Sequence, residues 1–314
     1  RRNEFCSATE WPLSGAVSSL VICQNGSAMT LKLMCSVTAL LALAIPAAAQ
    51  KTAVAAPSPV LSYADVADLA LPAPIVAQVR IRKAEQLKKE LAGNVAPGSR
   101  RYLVTADIIA LIRGHGGLPP RITYIVDVTA DTWGKWPKLE KMDAIVFALP
   151  VAGRPLEIRL AAPDAQQPAS PAFAALVRSL LNESASPSVP PQVLGVGDAF
   201  HVEGTVAGEG ETQIFLKAAD GRPLSLSVWR QPGAAPRWSV SVGEIVDQGA
   251  EPPARDTLLW YRLACSLPPR LPIASTASLT ESDAAIAAED YATIMAGLGP
   301  CRRTRGKENP ARSS

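Results

Sequence analysis

The stretch IFLKAADGRPLSLSV, residues 214–228, decides the fold class. Ile214, Leu216 and Ala218 alternate with Phe215 and Lys217, which is the period of a strand with one buried face. Asp220-Gly221 predicts a two-residue type I′ turn, and Leu224, Leu226 and Val228 carry the apolar face onto a returning strand. A turn at Pro232-Gly233 leads to a third strand with Trp238, Val240 and Val242, completing a three-stranded meander. The opposite face holds Phe215, Lys217, Ser225, Ser227, Trp229, Ser239 and Ser241, a mixture suited to stacking on a sugar or gripping an extended partner. Phe215, Lys217 and Trp229 are therefore the binding candidates. The C-terminal helices are expected to lie over this face, with Phe215 and Trp229 as anchors.

Working upstream, Ile75, Ala77, Val79 and Ile81 alternate with polar neighbours, and the pattern resumes at Tyr102, Val104, Ala106, Ile108 and Ala110 after a charged segment. Ile122, Tyr124, Val126 and Val128 make a third strand. Residues 144–149 and 156–160 then pair across a turn at Gly153, and a small antiparallel barrel or sandwich follows. Ser170-Pro171 has the form of an N-cap followed by proline at the first helical position, opening a helix with Phe173, Leu176, Val177, Leu180 and Leu181 on one face. SASPSVPP, residues 184–191, sustains neither helix nor central strand and marks a domain boundary. The expected fold is α+β and mainly β: two antiparallel β-rich units, barrel- or sandwich-like, with a few covering helices. The units are a β-rich domain over 61–183 with a closing helix, a linker over 184–191, and a meander domain over 192–301 with two C-terminal helices. Asp256 is expected to cap the first of these helices, and Thr280 with Asp283 to form a capping box opening the second. VFALPVAGRPLEIRL (146–160) aligns with IFLKAADGRPLSLSV at a constant offset, a trace of duplication that similar hairpin chemistry also explains.

Residues 29–50, MTLKLMCSVTALLALAIPAAAQ, have the three-part layout of a secretory signal peptide: Lys32, an apolar run from Val37 to Ile45, and an A-x-A site after Pro46. Residues 1–28 are expected to be an upstream translated segment, 29–49 the signal peptide, and 50–60 a mobile Ala/Pro-rich leader. After cleavage no stable membrane span remains. Without the three cations and two anions of residues 1–49, the 31 Lys and Arg and 28 Asp and Glu become 28 and 26, a balance that calls for no nucleic acid. Residues 302–314, with Arg302, Arg303, Arg305, Lys307 and Arg312, are expected to be a disordered basic tail. Of five cysteines only Cys265 and Cys301 remain in the exported chain, and an even pair in an oxidising compartment predicts a disulfide worth about 3 kcal/mol.

Chemistry-bearing residues are sparse. His115 lies in the glycine-rich RGHGG of residues 113–117, which has neither the nucleophile elbow of an esterase nor the lysine of a P-loop, and is expected to be a flexible loop. On an extended strand His201 and Glu203 share a face, and with Glu211 they are the candidates for acid–base work. No histidine or cysteine spacing supplies a metal site, and no cofactor is implied.

YADVADLAL (63–71), ETQIFL (211–216) and RDTLLWYRLAC (255–265) resemble segments of an uncharacterised exported (periplasmic) protein family of alphaproteobacteria, over about Ser62 to Cys301. The resemblance implies an envelope location and brings no activity and no catalytic residues. The functional expectation is a non-enzymatic periplasmic or secreted binding or structural component of the cell envelope, with an envelope protein or glycan as partner. The alternatives are a hydrolase acting on envelope material through His201 and nearby carboxylates, and an adaptor using an open strand edge.

Overall fold

The computed structural model describes residues 61–131, 133–243 and 251–305. The upstream segment, the signal peptide, the leader and the tail beyond Arg305 lie outside them. Helix α1 (Tyr63–Ala70) opens on a capping box in which the Ser62 hydroxyl accepts from the Asp65 amide and the Asp65 carboxylate accepts from the Ser62 amide. It stops at Leu71 because Pro72 follows.

The first sheet is built from β1 (Ile75–Gln86), β2 (Ser99–Arg113), β3 (Arg121–Thr129), β4 (Asp143–Pro150) and β5 (Ile158–Leu160), with the short helix α2 (Lys89–Ala92) between β1 and β2. Its hydrogen-bonded order is β3-β2-β1-β4-β5, and β6 (Gln166–Pro168) also pairs with β4. The Thr123 amide donates to the Leu156 carbonyl at 2.8 Å, and Thr123 bridges Glu157 in parallel, so β5 returns to β3 and the sheet closes on itself. The circuit 1-2-3-5-4-1 is the strand order of an OB-type barrel, a connectivity that by itself says nothing of function. Alternate residues fill the interior: Ala77, Val79, Ile81, Val104, Ala106, Ile122, Tyr124, Val126, Ala144 and Val146 form one cluster. The other face of β1 and β4, with Val76, Ile145 and Phe147, is buried under helices.

Helix α3 (Pro171–Ser184) starts as its sequence predicts, the Ser170 hydroxyl accepting from the Phe173 amide with proline at the first position. The second sheet is β7 (Val193–Glu203), β8 (Gly210–Ala218), β9 (Leu224–Arg230) and β10 (Arg237–Val242), in the order β10-β9-β8-β7. The predicted meander is therefore extended by a fourth strand. Its ladder to β8 is irregular between Val193 and Gly195 and between Val196 and Ala199, and those bulges hide β7 from a period-2 reading. The β8–β9 connection is not a two-residue type I′ turn. It spans residues 219–223, and Gly221 alone has positive φ (72°), while the Asp220 carboxylate accepts from the Arg222 amide and guanidinium.

Helix α4 (Leu258–Ala264), a 3-10 turn (Ile273–Thr276) and helix α5 (Glu281–Leu298) complete the order. Thr257, not Asp256, caps α4: its hydroxyl accepts from the Trp260 amide, and Asp256 is turned away at φ 59°. The Thr280 hydroxyl caps α5 by accepting from the Asp283 amide, but the Asp283 carboxylate takes that hydroxyl and not the Thr280 amide, so the expected box is only half made.

Two corrections concern organisation. The segment 184–191 does not separate two cores, because the described residues before and after it form one compact unit. A single cluster joins Tyr63, Val66, Leu69, Phe147 and Val177 to Ile214, Leu226, Trp260, Leu263, Tyr291 and Ile294. Neither sheet has a helix layer of its own; α1 and α3–α5 fill the space shared by both. Residues 303–305 of the expected disordered tail are instead held in place, because Asp68, Asp65 and Asp164 take Arg303, Thr304 and Arg305. The Gly-Arg-Pro-Leu hairpins share only their turn, with Gly153 and Gly221 both at φ 72°. Ala148 pairs with Leu160, whereas the aligned Leu216 does not pair with Val228, which pairs with Thr212. Among the described residues, no helix is long and apolar enough to cross a membrane.

Candidate functional site

His201 on β7 sits directly opposite Thr212 on β8, with Nδ1 2.9 Å from the threonine oxygen. The Thr212 hydroxyl donates to Asp290 Oδ2 of α5 at 2.5 Å, so its oxygen is left to accept from His201, which assigns the proton to Nδ1. Asp290 Oδ1 accepts from Arg230 Nε of β9 at 2.7 Å, and Arg230 Nη2 reaches Glu289 at 3.2 Å. Thr212 and Asp290 are fully buried. The chain of bonds runs from sheet to helix and fixes α5 on the apolar face of β7–β9. Gly210 is needed beside it, since a Cβ there would lie 2.9 Å from the imidazole Cε1.

Of the acid–base candidates, Glu203 lines two clefts, one with His201 and one with Glu211, and neither cleft holds all three. His201, Glu203, Glu209 and Arg230 line one cleft of about 340 Å³. Glu211 stands on the other side of the sheet, in register with Val202 and Trp229. Among the described residues no group of three His, Cys, Asp or Glu is placed to hold a metal. Asp290, the charged member of the cluster, has no signal in the local sequence because it comes from a helix 78 residues beyond Thr212. His115 lies away from this cleft, in a groove of about 530 Å³ at one end of the barrel with Arg154 and Glu157.

The opposite face of the second sheet corrects the expected position of the helices. Leu258, Trp260, Tyr291 and Ile294 share a core with Ile214, Leu224, Leu226 and Val228, so α4 and α5 cover the apolar face. Phe215 is 39 % exposed and is not an anchor for them. It meets Phe200 of β7 edge to face, ring centroids 5.8 Å apart, and Phe200 is 47 % exposed. Phe200, Val202, Glu211, Gln213 and Trp229 line a groove of about 500 Å³ on this face. Trp229 is half-buried, and Lys217 is exposed farther along β8. Ser225, Ser227, Ser239 and Ser241 are buried between these taller side chains. The Ser227, Ser239 and Ser241 hydroxyls and the Trp229 indole N–H have no hydrogen-bond partner among the described residues. Phe200 and Gln213 are the members of this surface that the sequence reading missed; recognising β7 as a strand places Phe200 beside Gln213 at once.

No protein-family model, no curated protein and no solved structure matches this chain.

Proposed function

We propose that the protein is a non-enzymatic binding or structural component of the cell envelope that holds an envelope protein or glycan on the outer face of its second sheet. One observation carries the reading: the exposed Phe200–Phe215 pair stands beside the Trp229 groove on a sheet whose reverse side is anchored to helices. Aromatic side chains on a rigid strand face offer contact area at little cost in conformational entropy. The location rests on the signal-like segment at residues 29–50 and on the resemblance to exported proteins, and the Cys265–Cys301 bond suits an oxidising compartment.

The enzymatic alternative has less support. His201 gives its Nδ1 proton to a buried threonine, and Glu211 lies on the far side of the sheet. What favours it is that His201, Glu203 and Glu209 share a cleft and that Glu203 and Glu209 share the neighbouring groove with Glu211.

The test is co-sedimentation of the purified protein with insoluble peptidoglycan, comparing wild type with Trp229→Ala and Phe200→Ala. Sedimentation of the wild type that both variants lose while keeping their thermal transition supports the reading with glycan as ligand. Sedimentation indifferent to both substitutions removes the face from consideration. If the wild type does not sediment, cross-linking in the periplasm asks for a protein partner at the same face.

A further inference from the structure

Beyond the binding face, residues 301–305 make a set of contacts with helix α1, more than 230 residues upstream, and with Asp164. Cys301 is joined to Cys265, the residue that ends α4. Two residues on, Arg303 donates to both oxygens of Asp68 of α1, from Nε at 2.7 Å and Nη2 at 3.1 Å, and lies over the Tyr261 ring of α4. The Tyr261 hydroxyl donates to the same Asp68 at 2.6 Å. Thr304 donates to Asp65 from its amide at 2.9 Å and from its hydroxyl at 2.5 Å, and the Arg305 amide adds a further bond at 3.0 Å. The Arg305 guanidinium ends the segment with two bonds to Asp164, in the turn between β5 and β6.

Asp65 is the capping carboxylate of α1 and is fully buried. Its oxygens are shared between Ser62, at the entry to the helix, and residues more than 230 positions later. The arginine pairs are half-exposed, and ion pairs of that kind hold little when each must form on its own. The disulfide changes that. It pins the chain at Cys301, within four residues of every one of these donors, so each bond forms at high effective concentration.

We infer that residues 301–305 are a redox latch: the Cys265–Cys301 bond seats Arg303, Thr304 and Arg305 on Asp68, Asp65 and Asp164, and its reduction releases them and loosens helix α1. The step needs a dithiol reductant. One of its thiolates attacks a cysteine sulfur, the S–S bond breaks, and the mixed disulfide is resolved by the second thiolate. Two electrons and two protons pass to Cys265 and Cys301, and the reductant closes to its own disulfide. Both cysteines are half-buried, so a small dithiol has access. Released from Thr304 and Arg305, Asp65 keeps only Ser62, and α1 keeps its packing against α3 and α4, the Tyr261 bond to Asp68 and the Arg113 bonds to the Ala70 and Leu71 carbonyls.

The test is amide hydrogen exchange on the full chain, oxidised and after dithiothreitol, together with a Thr304→Ala/Arg303→Ala variant whose disulfide is intact. The expected result is that exchange at Tyr63–Ala70 rises about tenfold or more on reduction, while the β8–β9 ladder keeps its protection, and that the variant reproduces the rise without reductant. Unchanged exchange at α1 after verified reduction overturns the latch. Loss of protection in every element together also overturns it, because the bridge then supports the whole fold. A rise on reduction that the variant does not share overturns the assignment to these contacts.

Discussion

Arg230 Nε lies 2.7 Å from Oδ1 of Asp290, a carboxylate with no exposed surface that belongs to a helix 60 residues farther along the chain. The same carboxylate takes the hydroxyl of Thr212, so one side chain satisfies two strands of the second sheet. Removing one partner of such a pair leaves the other charge in a poor dielectric. Asp290→Ala is expected to cost about 2–3 kcal/mol, the upper range for hydrogen bonds to a charged group, as a lowered urea midpoint at unchanged slope. His201→Ala, which leaves Thr212 bonded to Asp290, is expected to cost about 1 kcal/mol or less in the same measurement.

Asp65 makes the fold acid-sensitive. Burial pushes its carboxyl up, but the bonds from the Thr304 hydroxyl, the Arg305 amide, the Ser62 hydroxyl and the Thr304 amide outweigh that and hold it down at about 2, from an ordinary value of 3.8. A carboxyl lowered on folding stabilises fully above its unfolded value and loses that contribution as pH falls through the folded one. Wild type should therefore exceed Asp65→Asn by on the order of 2 kcal/mol at neutral pH, with the gap shrinking between about pH 4 and pH 2. Urea titrations at pH 7 and pH 3 check it; a gap of equal size at both would show that Asp65 does not titrate with the fold.

Glycine in a helix interior is ordinarily improved by alanine. At Gly297 of α5 the opposite is expected, because a Cβ would stand 2.6 Å from the Trp238 Nε1 of β10 and 2.9 Å from two further ring atoms. Gly297→Ala should lower stability by about 1–3 kcal/mol through overpacking. A raised Tm would mean that the indole moves aside freely.

Trp229→Ala should leave the fold nearly intact, with a stability loss of about 1 kcal/mol. The ring is half-buried, and its N–H has no described partner, so truncation removes an unsatisfied donor along with apolar contact. Thermal unfolding of the variant checks this, and makes it a fair probe of binding.

Where one buried face follows the period of its own strand, the sequence is legible. Ile75 to Ile81, Val104 and Ala106, Ile122 to Val128, Ile214 to Ala218 and Leu224 to Val228 all lie in strands, and Ser170 and Thr280 cap the helices they were expected to cap. What escapes is whatever depends on residues far apart. β7 carries Leu194, Gly197 and Asp198 within bulges, so alternation fails although the ladder forms. The meander shows two usable faces, and its pattern alone does not tell which one α4 and α5 cover. Their apolar residues went to Leu224, Leu226 and Val228, which left Phe215 to solvent. The pairing of His201 with Thr212 and Asp290 needs three elements in register. The tail reads as solvated charge because its acceptors, Asp65, Asp68 and Asp164, stand more than 130 residues upstream of it.

Asp65 also sets an order of events. A chain made from its N-terminus has α1 in hand early, yet the donors that complete its cap are made about 240 residues later. Contacts so far apart close late, after the loop between them has been organised. Helix α1 is thus finished by a turn of chain far downstream of it, and a nascent molecule that lacks Thr304 and Arg305 carries that helix with its cap half-made.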